Sequence, residues 1–262
     1  MGRPHSVYTG FLADPEFEHD AIEMLAIFIQ QNIPFDEIQL RYFRDDRLSV
    51  FTASFPQKRY TTIITKAMES LIIQLPDSFT KLMDVNMGRW SRKKIRTIRR
   101  KLESEESLQI SVANETTHHK DIDILCELWY NRWKDEFLAE WHSHFLHYYF
   151  RENLLRLTIM SSNGKPIAAL AVLKDPLKKT FNNYITSYDP EYASLSPGIA
   201  LLSESVEYAI ESRYKYYDFT IGLDPYKLSF GPDQFDTHHL FIRKRSFKMD
   251  IILPLIRKLR KK

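Results

Sequence analysis

The chain has 262 residues, 44% of them apolar and 27% charged, with a formal net charge of +3. That balance supports a packed core and excludes both a disordered chain and one that acts through a strong overall field; the length suits one large domain or two small ones. A single cysteine, Cys126, excludes an intrachain disulfide framework and fits a reducing, cytoplasmic compartment.

In chain order, the first element reads as a helix. Asp14 caps it, Pro15 sits in its first turn, and Ile22, Leu25, Ala26 and Ile29 form one apolar face before Asn32 ends it. Met1-Gly2…Ser6, ahead of it, matches the short N-myristoylation pattern, a weak signal. Ile38, Leu40 and Tyr42 alternate with polar residues as a strand does, and residues 60–65 and 71–74 read as two further strands. The apolar runs at 24–29 and 167–173 fall far short of the ~20 residues a membrane span needs, so none is expected. Pro76-Asp77-Ser78 starts a short helix. From Arg89 to Lys101 there follow eight basic residues and no acid. Ile95, Ile98 and Leu102 give this stretch one apolar stripe, which makes it a docked helix with its other faces basic. Like charges at helical spacing disfavour the helix. An anionic partner (a substrate phosphate, nucleic acid or a membrane surface) and a plain solvated face are both open readings.

Leu108, Ile110 and Val112 form a strand, followed by helices over about 121–134 and 140–151. Ile122, Ile124, Leu125 and Leu128 surround Cys126 and make it a buried structural thiol. Trp129, Trp133 and Trp141 read as core aromatics. His142, His144 and His147 would not share one helix face and have no carboxylate at a fitting offset, so no metal is expected. Residues 155–160 and 167–173 are strands joined by Asn163-Gly164, a hairpin signal.

Residues 180–231 carry most of the chemistry. Phe181, Tyr184, Ile185, Thr186 and Tyr188 make an aromatic, β-branched strand closed by Asp189-Pro190. Ser196 as N-cap and Pro197 in the first turn open a helix with Ile199, Leu202, Val206, Ala209 and Ile210 on one face. A strand over 216–221 ends on Gly222. The chain has seven glycines, well under the usual share of about 7%, and Gly198, Gly222 and Gly231 all fall in this stretch. Free N–H groups at a helix start are an anion cradle, although Ser-Pro-Gly is also simply a good helix start. Asp218 sits within an aromatic strand, where aspartate is disfavoured. His238, Leu240 and Ile242 alternate in a last strand, and residues 248–262 form a basic amphipathic tail that packs on the domain or lies on an anionic membrane surface.

Tyr188-Asp189-Pro190, Ser196-Pro197-Gly198, Asp218-Phe219 and Gly222…Tyr226-Lys227, in that order, resemble the acceptor-and-cofactor half of the GNAT acetyltransferase superfamily, in particular its CelD/BcsL-type branch associated with cellulose biosynthesis. Ser91, Lys93, Arg99-Arg100 and Arg132-Trp133 resemble that branch too, and Tyr226-Lys227…Phe230-Gly231 resembles a motif of the FemABX aminoacyltransferases. The resemblance spans residues 71–242 and implies an α/β (α+β) GNAT fold with a mixed, mostly antiparallel sheet flanked by helices. It divides the chain into a shortened GNAT-like half at 1–105 with its basic helix at 89–104, a GNAT acyltransferase domain at 106–245 and the tail at 246–262. The usual Gln/Arg-x-x-Gly-x-Gly/Ala loop of such domains is absent.

The activity so implied is transfer of an acyl group from acetyl-CoA or another acyl-CoA to an amine or hydroxyl, with a cell-envelope or polysaccharide-related acceptor carried by the branch name. It places acyl-CoA against Tyr184, Ile185, Thr186, Ser196, Gly198 and Ile199, the acceptor or donor phosphates near Arg96, Arg99, Arg100 and Tyr188, and the chemistry on Asp218, Tyr226 and Lys227. Asp218 reads equally as a base or as a hydrogen-bond partner for the nearby turn. Two alternatives stay open: a Fem-like transferase that uses aminoacyl-tRNA, and a non-catalytic GNAT-like module whose basic helix binds a phosphate-rich partner. Beyond that tRNA no nucleic-acid partner is expected, and the oligomeric state is not legible.

Overall fold

The computed structural model describes residues 8–44 and 46–245. The myristoylation pattern and the basic tail lie outside them. Contacts divide the chain into two compact units, one made of residues up to Glu69 together with those from Phe235 onward, the other of Ser70–Gln234. This division puts the basic helix in the same unit as the later strands, whereas the sequence grouped it with the first 105 residues.

The first unit contains α1 (Glu18–Asn32), β1 (Glu37–Phe43), α2 (Leu48–Ala53), the start of β2 (Tyr60–Gln74) and nearly all of β8 (Asp233–Lys244), in strand order β1-β8-β2. β1 and β8 run antiparallel with Leu40 opposite Leu240 and Ile38 opposite Ile242. Ile22, Ala26, Phe43, Phe51, Phe55, Leu240 and Ile242 form its core. α1 begins later than expected because Asp14 is spent on a turn: its carboxylate accepts the Glu16 N–H and its carbonyl the Phe17 N–H. The two strands expected at 60–65 and 71–74 are one continuous β2. The polar residues between them stay extended because Lys66 bridges Glu69 and Asp236 and the Thr237 hydroxyl donates to the Met68 carbonyl.

The second unit has strand order β2-β7-β6-β5-β4-β3, with β3 (Leu108–Val112), β4 (Leu155–Ser162), β5 (Lys165–Asp175), β6 (Thr180–Tyr188) and β7 (Tyr216–Ile221). Every pairing is antiparallel except β6 with β7. Asn163 and Gly164 both take positive φ, as the tight β4–β5 hairpin turn requires. β5 is buried on both sides. Ala168, Leu170 and Val172 meet the helices α3 (Phe79–Asn86), α4 (Arg89–Ser104) and α7 (Pro197–Glu211), while Ala169 and Ala171 meet α5 (His118–Trp133) and α6 (Glu136–Arg151). α7 buries ten of its residues and is the central helix of the larger core. Three residues after α8 (Pro225–Leu228) comes Gly231, where φ is +69° and a Cβ would stand 1.9 Å from the Asn86 carbonyl oxygen. Only glycine fits there.

Cys126 is half-buried in the α5–α6 core, and burial pushes its thiol up to about 11. Trp129 packs there as expected, but Trp133 is 58% exposed, because it falls on the last turn of α5 beyond the edge of the core.

Candidate active site

The site begins where β6 and β7 part. The two strands are parallel and paired only over residues 180–182 and 216–218, ending at Asn182 opposite Asp218. β6 continues to Tyr188, still bonded to β5, while β7 continues to Ile221 bonded to β2. Two irregularities prise them apart. A register shift on β6 lies between Asn183 and Ile185, and another on β7 lies between Asp218 and Thr220. Bulges bend a strand and interrupt its pairing. Thr220 takes φ +65°, an uncommon backbone for a β-branched residue. The Asp218 carboxylate, 4% exposed, holds it by accepting the Thr220 N–H at 2.7 Å.

At the open end lies a cavity of ≈ 220 Å³. Thr186 and Tyr188 of β6, Ser196, Gly198 and Ile199 at the start of α7, and Tyr226 of α8 line it together with Lys94 of α4 and Arg132 of α5. A second cavity of ≈ 500 Å³ shares Lys94, Ile199 and Tyr226 and adds Trp90, Ser91, Ile95, Pro225 and Ser229. Ser196 takes left-handed φ/ψ between a 3-10 turn at Pro190–Leu195 and α7. Its carbonyl accepts the N–H groups of Ile199 and Ala200. Pro197 has no N–H, and the Gly198 amide makes no such bond among the described residues, so the positive end of α7 faces the cavity wall. A Cβ at Gly198 would meet only Thr186 Cγ2, at 4.0 Å.

Tyr226 is a half-buried phenol on the cavity wall. Burial pushes it up to about 12, with the Asp224 carboxylate adding to the shift, while Arg132 and a hydrogen bond with Thr186 pull the other way. It therefore stays protonated across the physiological range. Arg132 stacks over the Tyr188 ring, 5.6 Å from its centroid, which fixes both side chains at the rim. Two cations, a helix start and a row of hydroxyls surround an open strand edge, groups whose chemistry suits anionic and amide-bearing ligands.

The profile of the acetyltransferase (GNAT) domain matches residues 89–228, more than half of the chain. The chain belongs to the GNAT acetyltransferase-domain family. Among solved structures, the C-terminal domain of a protein assigned as a lysylphosphatidylglycerol synthetase from Agrobacterium fabrum is similar at 11% identity, TM-score 0.64, over 89% of this chain and 76% of that one. FemX is similar at 9% identity, TM-score 0.63, over 89% and 79%, and L-PGS from Bacillus licheniformis at 13%, TM-score 0.57, over 92% and 78%. At these identities the likeness is one of fold. No match to a curated protein was found.

Within this GNAT domain the expected site residues separate into two groups. Thr186, Tyr188, Ser196, Gly198, Ile199 and Tyr226 come together around the cavity. The others do not line it. Ile185 is buried on the α5–α6 side of the sheet, and Tyr184, on the same side, bonds through its hydroxyl to His142 Nδ1 at 2.9 Å. Lys227, read from sequence as a clamp for substrate, points inward: it is 5% exposed, donates to the Ile221 carbonyl at 2.9 Å and pairs with Asp224 at 2.9 Å. It ties α8 to the end of β7. Lys227→Ala should cost about 1.5–3 kcal/mol in urea unfolding, the range for a lost hydrogen bond to a charged group, while leaving ligand affinity in the surviving folded fraction unchanged.

The basic helix also contributes differently than expected. Arg99 is held by Glu207 of α7 at 2.8 Å and stacks over Phe79. Arg96 is 3.9 Å from Asp84, and Arg100 is exposed. The cavity takes Lys94 instead. Ser91, Lys94, Ile95 and Ile98 share one helix face (i, i+3, i+4, i+7), and that apolar stripe was the available signal for Lys94. Arg132 was signalled only by its Arg-Trp resemblance.

Proposed function

We propose that this GNAT domain transfers an acyl group from acyl-CoA to an amine or hydroxyl acceptor. The observation that carries this reading is the parting of β6 from β7 beyond Asn182 and Asp218, with its open end at the start of α7. The residues fit an acyl-CoA. The β6 edge over 183–188 offers backbone groups to an amide-bearing pantetheine arm, and Lys94, Arg132 and the α7 start offer positive charge to phosphates.

In this reading the thioester carbonyl lies near the parting of the strands, and the acceptor reaches it through the adjoining cavity of Trp90, Ser91 and Pro225. The acceptor's lone pair forms the new bond to the carbonyl carbon, and the carbon–sulfur bond breaks. Tyr226, kept protonated by burial, gives its proton to the departing thiolate, while the proton lost by the acceptor nitrogen or oxygen passes to solvent, from which the Tyr226 phenol is restored. Thr186 orients the phenol. Asp218 holds the Thr220 turn and acts by positioning.

A Fem-like transferase that uses aminoacyl-tRNA is the second reading. It is favoured by the likeness to FemX over most of the chain and by the exposed basic residues Lys93, Arg96 and Arg100 of α4. Calorimetry with acetyl-CoA, longer acyl-CoAs and aminoacyl-tRNA separates the two. Acyl-CoA should bind and tRNA should not. The reverse result would favour the Fem-like transferase, and no binding of either would favour a non-catalytic module. The acceptor class, cell-envelope or polysaccharide-related, rests on the branch resemblance alone.

Gly198→Val tests the phosphate end. The added methyl groups face Thr186 rather than the core, so acetyl-CoA affinity should fall by roughly ten-fold, about 1.4 kcal/mol, with an unchanged melting temperature. An unfolded variant, or one with normal affinity, would move the phosphates away from this helix start.

A further inference from the structure

On the other side of the sheet from the cavity, where α5 starts, three histidines converge. His118 and His119 open α5, and His147 comes from α6. One ligand nitrogen from each lies within 4.8 Å of the others. Neighbours on a helix do not normally face the same way. These two do because they occupy its first turn, where their rings sit 4.1 Å apart. The His119 and His147 rings are 4.8 Å apart.

The His118 ring is fixed in the manner of a metal ligand. It stacks on Phe150 at 4.2 Å, with the planes 1° apart, and its Nδ1 lies 3.1 Å from the Glu115 carbonyl oxygen. A carbonyl only accepts, so Nδ1 carries the hydrogen and Nε2 presents its lone pair. Donation of the second ring nitrogen to a backbone carbonyl is the usual orientation of a metal-bound imidazole. Asp123, one helical turn after His119, contributes the nearby negative charge, and it acts on His147. The trio looked for in the sequence is dispersed: His142 bonds to Tyr184 and His144 bonds to the carbonyl of Glu140. Only His147 of that trio takes part.

We propose that His118, His119 and His147 bind one divalent transition-metal ion, zinc by ligand type, and so clip the start of α5 to α6. Three imidazoles with a fourth position open match zinc's preferred nitrogen set, with bonds of about 2.0–2.1 Å, and small side-chain rotations bring the nitrogens to that distance. Water would fill the fourth position. Arg132 at the cavity lies fourteen residues along α5, about 21 Å at 1.5 Å per residue, so the ion would stabilise the helical pair without touching the reacting groups.

The test is calorimetry and thermal melting of the untagged full chain with zinc chloride. One ion per chain should bind, and the melting temperature should rise with zinc concentration. His119→Ala, an exposed position, and His147→Ala should each weaken binding at least ten-fold and abolish the rise, whereas His19→Ala on α1 should leave both intact. Absence of binding to the wild-type chain would overturn the site, as would an unchanged zinc response in His119→Ala and His147→Ala.

Discussion

Lys94→Ala and Arg132→Ala are each expected to raise the Kd for acetyl-CoA roughly ten-fold, and together fifty- to a hundred-fold, with little change in melting temperature. Both side chains line the cavity rim and are exposed, so their removal leaves no buried group without a partner. Each would otherwise make a charge-assisted bond to a phosphate oxygen. Exposed charges are screened by salt, so the wild-type Kd should rise with ionic strength and the double variant's should rise much less. Calorimetry at two salt concentrations checks both. Arg96→Gln and Arg100→Gln serve as controls, since these side chains carry the same charge on the same helix but stand away from the cavity. Equal losses from the controls would mean that a diffuse field, rather than the cavity, holds the ligand.

Tyr226→Phe should lower turnover by ten- to a hundred-fold with almost no change in acyl-CoA affinity. A thiol has a reference pKa near 8.5, so its thiolate can leave unaided at neutral pH. Proton donation then contributes at or below the low end of the usual hundred- to ten-thousand-fold range for acid–base residues. The sign of the pH dependence follows from the same burial. A phenol pushed up to about 12 remains protonated through neutral and mildly alkaline pH. Wild type and variant should therefore give parallel pH–rate profiles, offset by that factor, up to about pH 10 and converge only above it, where the wild type loses the phenolic proton. Hydrolysis of acyl-CoA provides the assay until an acceptor is found. A variant with full turnover would remove Tyr226 from the chemistry and leave it as a wall of the cavity.

Much of the fold is legible because local signals agree with it. Ser196-Pro197 starts α7, Asn163-Gly164 turns the β4–β5 hairpin, and β7 ends just before Gly222. The failures have physical causes. α2 is six residues long, too short for periodicity to declare itself. β2 runs through a polar stretch that is held extended by Lys66 and Thr237 pairing across to neighbouring residues. The site is half legible. Residues on β6 and α7 follow from strand and cap chemistry, but the parting of β6 from β7 depends on two bulges that no local pattern declares. Asp218 was noticed because it is polar in apolar surroundings, and Lys227 through its family motif. Each turned out to hold backbone, at Thr220 and at Ile221 respectively. Which of eight cations on α4 meets the cavity depends on the rotation of that helix, which Ile95 and Ile98 set by docking on the core. The histidines at 118, 119 and 147 meet only because α5 and α6 fold back on each other.

The central claim is that acyl-CoA lies along the β6 edge left open by β7 and ends at the start of α7, and amide hydrogen exchange tests it most directly. Amides of residues 183–188 that face away from β5, together with that of Gly198, have no strand partner and should exchange quickly in the free protein. Saturating acetyl-CoA should slow them, and the Lys94→Ala/Arg132→Ala double variant should need a far higher concentration for the same protection. Protection confined to other parts of the chain, or exchange at 183–188 and 198 unchanged under saturating acetyl-CoA, would contradict the account.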